Sequence, residues 1–469
     1  MASGEWRVAS GEWRVASGEW RVLKRDFMRI AMLVGSFPVV SETFILRQIT
    51  GLLDLGHGVD IYAEAKPEEA EPEHAEVRRY KLLGRTTYMN VPPDAGYWEM
   101  PVWPLTGQTW LPGASKPIPN VARALRAAPA FARCLRCSPR LSLEVLRPSQ
   151  YGYQARSLSN LYRLDTLCSR RRRYTVAHAH FGPVANRLRF AGELWGAPLV
   201  ASFHGYDFSR VPRQQGPDVY RRLFARADMV TVNSGHTERR LRELGCPPSK
   251  LRRLPMGVDL RHFPFHEHVP HAGEPVRILT VGRLVEKKGL EYAIRAVARA
   301  RERYAHLLYD IVGEGPLRAS LEALIVELGV GDAVTLHGAK SGEYVREMMA
   351  QAHLFVMPSV TASDGDMEGQ GLALQEAQAS GLPVLATDHN GFSESIAPGR
   401  SGFLVPERDA TQMAARLVYL LERPELWPEM GHAGRRHVEE NYDMSNLNRR
   451  LVELYMEARE IYSEKWRHR

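Results

Sequence analysis

RILTVGRLVEKKGLEYAIRAVARARERYAHLLYDIVG (277–313) reads as strand, loop, helix and strand. RILTVG (277–282) and LYDIVG (308–313) are short apolar, β-branched runs, while Leu290–Arg303 repeats its apolar residues at helical spacing. Two strands joined by a helical crossover pair in parallel. The rhythm continues downstream with AVTLHG (333–338), HLFVMP (353–358) and PVLATD (383–388), separated by helical stretches at Leu317–Leu328 and Leu372–Ser380. Upstream the same rhythm appears in RIAMLVG (29–35), VDIYA (59–63), TVAHAHF (175–181), PLVASFH (198–204) and MVTVN (229–233). Near-continuous apolar strands are buried on both faces, as in parallel sheets. The polar HFPFHEHVPHAGEP (262–275) parts the two series. The expected fold is α/β: two Rossmann-like, doubly wound domains at 28–265 and 266–445, facing a cleft at the carboxyl ends of their strands. Asp409, with Gln412 three residues on, opens a helical tail. The helix at 446–469 is expected to pack back on the first domain.

With 469 residues, 44% hydrophobic and 25% charged, the chain is globular and too long for one core. It lacks an apolar run of roughly 18 residues and a signal-peptide core, so the sequence predicts a cytoplasmic protein. Four cysteines make no disulfide framework, and the CxxC of Cys134 and Cys137 lacks the second pair or histidines of a zinc site. ASGEWRV occurs three times within residues 2–22; its Gly and Ser and missing apolar seam argue against a coiled coil, so 1–27 reads as a disordered extension before Met28. The net charge of +8 is local: residues 121–173 hold twelve arginines against Glu144 and Asp165, interleaved with leucines. Such a basic amphipathic insertion suits an anionic membrane surface or a plain solvated face. No nucleic-acid motif accompanies it.

Two stretches carry chemistry. In MEGQGLALQEAQASGLPVLATD (367–388), Gly369 and Gly371 precede a helical pattern, which places Glu368 before a helix and Glu376 within it. Helical rise over eight residues would part the carboxylates by roughly 12 Å, too far for a glycosidase acid/base pair but suited to gripping two hydroxyls of one extended ligand. Glycines at a helix start let backbone N–H groups approach an anion. In VGRLVEKKGLE (281–291), Arg283 and Lys288 flank a strand-to-helix loop where a cationic pair neutralises a diphosphate without a metal. An ordinary surface loop and a basic turn are the plainer alternatives. His204, in SFHGYD, stands at a strand end; the GEG of Gly313–Gly315 alone is weak.

GRLVEKKG, GEGP and EGQGLALQEA together resemble the retaining GT-B glycosyltransferases of family 4 from about Met28 to Tyr462. SFPVVSETFILRQI (36–49), HAHFG (178–182), FHGYD (203–207) and ASDGDMEG (362–369) resemble its colanic-acid and exopolysaccharide branch. The resemblance implies Arg283 and Lys288 on the donor diphosphate, Glu376 on the ribose, Glu368 on the donor sugar and His204 near the transferring sugar. Gly35, Gly282, Gly369, Gln370 and Gly371 are expected to line the donor site. Many members carry a Gly-Gly pair where this chain has Gly35-Ser36-Phe37-Pro38, which leaves the acceptor open. The implied reaction moves a hexose from a UDP- or GDP-sugar, UDP favoured, to a glycan or lipid-linked oligosaccharide at the inner membrane face. It needs no cofactor and no metal; Asp364 and Asp366 imitate a DxD pair that belongs to the other glycosyltransferase fold. A nucleotide-sugar 2-epimerase and a catalytically silent membrane-binding homologue remain as alternatives.

Overall fold

The computed structural model describes residues 27–39, 42–67, 74–92, 120–170, 172–270 and 273–467. Residues 1–26 of the extension read at 1–27, and Arg171, lie outside them.

The first sheet holds seven parallel strands: β1 (Arg29–Ser36), β2 (Gly58–Ala65), β3 (Thr86–Tyr88), β4 (Val176–His180), β5 (Leu199–Phe203), β6 (Met229–Val232) and β7 (Leu251–Arg253). Their spatial order is 3-2-1-4-5-6-7. The second holds β8 (Val276–Val281), β9 (Leu307–Val312), β10 (Val334–Gly338), β11 (Leu354–Met357), β12 (Val384–Thr387) and β13 (Gly402–Val405), in the order 10-9-8-11-12-13. Each sheet therefore runs third-second-first-fourth-fifth-sixth, the doubly wound arrangement. The order reverses at β1/β4 and at β8/β11, and ligands of such sheets bind outside those carboxyl ends.

Helices that matter below are α1 (Thr43–Asp54), α2 (Asn120–Cys137), α3 (Ser159–Ser169), α4 (Leu290–Arg301), α5 (Leu372–Ala379), α6 (Ala410–Leu421), α7 (Trp427–Asn441) and α8 (Met444–Arg467). Successive residues of a strand point to opposite faces, and the second domain shows it. Ile278, Leu354 and Val356 join one apolar cluster with α4 and α6. Leu279, Phe355 and Met357 join another with α5 and α7. Asp409 caps α6, its carboxylate accepting from the Gln412 amide at 2.8 Å. Helix α8 then returns to the first domain, where Leu451, Leu454, Tyr455 and Ala458 are fully buried within the core of the first sheet.

The ten strands and three helices named from sequence all form. The runs at β3, β7 and β13 carried too few residues for a periodic signal. In the basic region, part of the expected surface charge is internal. Arg163 is buried, and it and Arg187 converge on Glu64. Arg133 holds Asp165, Arg140 holds Glu193 and Arg172 holds Asp60. Arg136, Arg147 and Arg156 stay exposed, with no ion pair among the described residues. Cys134 is buried on α2 and donates to the Leu161 carbonyl at 3.6 Å, and Cys168 of α3 closes against both members of the CxxC.

Candidate active site

The loop after β8 and the loop before α5 meet at one ion pair. Lys288 Nζ lies 2.6 Å from Glu368 Oε2, and their side chains are only 13% and 17% exposed. Burial alone would raise the Glu368 carboxyl, but the ammonium groups of Lys288 and Lys287 outweigh it and hold the carboxyl well below its ordinary value. The main chain at Glu368 is fixed on both sides: its N–H donates to His389 Nε2 at 3.0 Å, and Asn390 Nδ2 donates to its carbonyl at 2.7 Å. His389, fully buried, turns its other nitrogen to Glu407. Because Nε2 accepts, Nδ1 carries the proton and donates to that carboxylate.

Arg283 stands beside Lys288 and has no hydrogen-bond or ion-pair partner for its guanidinium among the described residues. Lys287 is spent on Asp366 at 3.3 Å, and Arg210 of the first domain holds Asp364 at 2.7 Å. Both carboxylates of the DxD look-alike thus face cations. No group of three or more metal-ligating side chains is assembled among the described residues.

Glu376 lies within α5, as expected, and takes Arg47 of α1 as partner at 3.2 Å, across the cleft. Its carboxyl is pushed up by burial, with Arg47 working against the shift. The 12 Å separation read from helical rise does not carry over: α5 starts at Leu372, so residues 368–371 are loop and contribute no helical rise. Gly369 is required by closeness, since a Cβ there would stand 1.8 Å from the His204 carbonyl oxygen. The GEG motif has a similar use, because a Cβ on Gly313 would meet the Gly282 carbonyl at 1.9 Å. Gly369 thus seats the loop before α5 on the loop after β5, and Gly313 seats the GEG turn on the loop after β8.

One expected ligand contact has its side chain engaged elsewhere. The Gln370 amide is fully used by the main chain of Met256, accepting from its N–H and donating to its carbonyl, both at 2.7 Å. Its side chain therefore ties the domains together, and only its backbone remains for a ligand. Gly35 stands at the carboxyl end of β1, where a Cβ would lie 3.7 Å from a Val184 methyl. Gly282 lies against the Lys288 stem, and Gly371 immediately precedes α5.

His204 follows β5 and meets the loop before α5 through its carbonyl, which also accepts from Asn233 Nδ2 at 2.9 Å. Asp207, which sequence reading left as part of a motif, holds this corner. Its buried carboxylate accepts from the N–H groups of His204, Gly205 and Gly182, joining FHGYD to HAHFG. Burial pushes its carboxyl up to about 6, with those donors opposing. Arg47, His389 and Asn233 were also missed. Each acts through a contact more than 20 residues away in sequence, which no local spacing reveals.

Two Rossmann-like domains facing across such a cleft define the GT-B architecture. Residues 118–262 match Glycosyltransferase Family 4, and residues 264–437 match Glycosyl transferases group 1. The chain is 33% identical over 437 residues to the colanic acid biosynthesis glycosyltransferase WcaL of Salmonella typhimurium, covering 91% of this chain and 99% of the relative. It is 33% identical over 436 residues to the amylovoran biosynthesis glycosyltransferase AmsK of Erwinia amylovora, with the same coverage. Anabaena HepE, solved in complex with UDP, superposes with a TM-score of 0.62 at 15% identity, over 92% of this chain and all of that one. The chain belongs to the glycosyltransferases, in the family that joins a family 4 domain to a group 1 domain.

Proposed function

We propose that the protein transfers a hexose, with retention of configuration, from a nucleotide-diphosphate sugar to a lipid-linked glycan in exopolysaccharide assembly. The observation that carries this is the Lys288–Glu368 pair with the unpartnered Arg283 beside it, at the carboxyl end of β8 and against the loop that holds His204. As the anomeric carbon loses its phosphate, charge grows on the leaving diphosphate. Arg283, Lys288 and the amide groups at the start of α5 stabilise it electrostatically. Before donor arrives, Glu368 neutralises Lys288; the incoming phosphate takes over the lysine and leaves Glu368 for the sugar. Glu376 exchanges Arg47 for the ribose hydroxyls. The family's retaining route has the departing phosphate accept the acceptor's proton on the same face.

UDP is the first candidate base, as in the HepE complex, with GDP as the competitor. The exopolysaccharide role follows the relatives WcaL and AmsK, and the exposed Arg136, Arg147 and Arg156 suit an anionic membrane surface at which a lipid-linked acceptor resides. No helix among the described residues is long and apolar enough to cross a membrane. The test is a thermal-shift panel of UDP, GDP, ADP and their sugars, followed by incubation of the selected donor with and without lipid-linked acceptor. Stabilisation by one nucleotide and acceptor-dependent release of it support the reading. An epimerised free sugar from donor alone replaces it with the epimerase.

A further inference from the structure

Strands β4 and β5 run side by side with His180 opposite Ser202, and residues two apart share a face. His178, His180 and His204 therefore gather on one side of the sheet. His178 is anchored at both nitrogens, by the Tyr455 hydroxyl of α8 at 2.7 Å and by Ser202 Oγ at 2.6 Å. Its ring lies over His180, centroids 4.4 Å apart. His180 Nδ1 then meets His204 Nε2 at 3.1 Å. The planes of those two rings differ by only 9° and their centroids are 5.3 Å apart. With so short an N···N contact, the rings stand edge to edge and nearly coplanar, the in-line geometry of an N–H···N bond.

The rest of the His204 ring is fixed by aromatic neighbours, Phe44 at 4.6 Å and Phe181 at 4.8 Å between centroids. One nitrogen is left over. His204 Nδ1 is shielded from solvent and has no hydrogen-bond partner, and so is His180 Nε2. An orphaned buried polar atom is costly and calls for a partner. The loop before α5 lies beside this residue, since Gly369 packs directly on the His204 carbonyl.

We propose that His180 is a positioning residue for His204: through the Nδ1···Nε2 bond it fixes the plane and the tautomer of the His204 ring, so that Nδ1 is the nitrogen presented to a hydroxyl of the transferring sugar. This rests on the reading of His204 as a sugar-facing residue. Burial holds both rings neutral, His204 falling to about 3 and His180 also well below the ordinary value. Neutral rings have one proton to share between the facing nitrogens. Whichever ring donates there decides whether His204 Nδ1 offers or accepts a hydrogen bond, so the two tautomers are locked together. His180 touches no substrate in this arrangement and acts only through its neighbour.

The test exploits side-chain geometry. An asparagine at 180 places an amide atom where Nδ1 stands, a glutamine reaches instead toward Nε2, and a phenylalanine keeps only the shape. With UDP-glucose as donor, or GDP-mannose where the panel selects GDP, His180→Gln and His180→Phe should lower kcat on the order of 10²-fold, the scale of one lost preorganised hydrogen bond. Donor KM and nucleotide Kd should stay within about twofold, and His180→Asn should keep kcat within about threefold of wild type, since the mispositioned group acts on chemistry rather than on nucleotide binding. Nitrogen-15 spectra of histidine-labelled enzyme should show one His204 tautomer in wild type and His180→Asn and a mixture in the other two. Equal kcat for the Asn and Gln variants, or one unchanged tautomer in His180→Gln, overturns the proposal, and this contrast stands even where the Phe variant does not fold. His204→Ala separates the two readings. If it leaves transfer intact, the sugar-facing assignment fails. If it damages transfer while the His180 series is flat, only the positioning role fails.

Discussion

Replacing Arg47 with methionine isolates the ion pair that joins α1 to Glu376 of α5. Both partners are mostly enclosed, with side-chain exposures of 16% and 13%, so the change leaves Glu376 as a buried, unpaired carboxylate. Losing one member of a buried pair costs about 3–5 kcal/mol, and the residual solvent contact here puts the expectation near the lower figure, about 3 kcal/mol. For domains of this size each kcal/mol is worth roughly 2–4 °C, so the apparent Tm should fall by about 6–12 °C at neutral pH. The loss depends on pH in a determined direction. Burial already raises the Glu376 carboxyl, and without Arg47 it rises further. A carboxyl whose folded pKa exceeds its unfolded value favours folding as pH falls, because the folded state then binds the extra proton. The deficit should therefore be largest above the raised pKa and shrink as the pH is lowered through it. Adding Glu376→Gln removes the stranded charge and should recover most of the Tm. Differential scanning calorimetry of the four proteins between pH 5 and 8 closes the cycle. A single variant within about 1 °C of wild type, or a double variant no better than the single, refutes the reasoning.

Lys288→Ala and Arg283→Ala should each reduce turnover by on the order of 10²-fold or more in steady-state assays, with activity persisting in EDTA; a folded variant at wild-type rate removes the phosphate assignment. Glu376→Ala should weaken a bare nucleoside diphosphate by calorimetric titration, whereas Glu368→Ala should spare that affinity and damage sugar transfer; equal effects on nucleotide affinity contradict the division. Wild-type protein should sediment with anionic vesicles at low salt and not with neutral ones, and replacing Arg136, Arg147 and Arg156 with glutamine should weaken this without changing nucleotide affinity. Protein left in the supernatant means that those arginines are only solvated.

The sequence was most readable where one element carries its own signal. Strands such as RILTVG and helices such as Leu290–Arg301 declare themselves by their apolar pattern, whereas the strand order came only from the structure. Arg283, Lys288 and Glu368 stood out as candidates because they lie in loops that lead into helices at the carboxyl ends of parallel strands, and the structure brings Lys288 and Glu368 into one ion pair. What could not be read was pairing at a distance. That the Gln370 side chain would bind the Met256 main chain, or that Arg163 would be buried against Glu64, depends on which surfaces meet after folding. The basic region shows the same limit: charge was counted correctly from sequence, but apart from Asp165 the acids that pair with it are Glu64 and Asp60 of β2 and Glu193, all outside the segment.

The returning helix α8 has a consequence for biosynthesis. Leu451, Leu454, Tyr455 and Ala458 fill the core of a sheet whose last strand, β7, ends at Arg253. A ribosome must add roughly 200 further residues before that core is complete, about 10–40 s at ordinary elongation rates. For that interval the first domain presents an unfilled apolar trough, and His178 lacks the hydroxyl that will hold it. The second domain can close on its own, because its clusters draw only on residues from Val258 to Tyr442. The domain made first is thus the one finished last, and a chain released short of α8 is an aggregation hazard rather than a smaller enzyme.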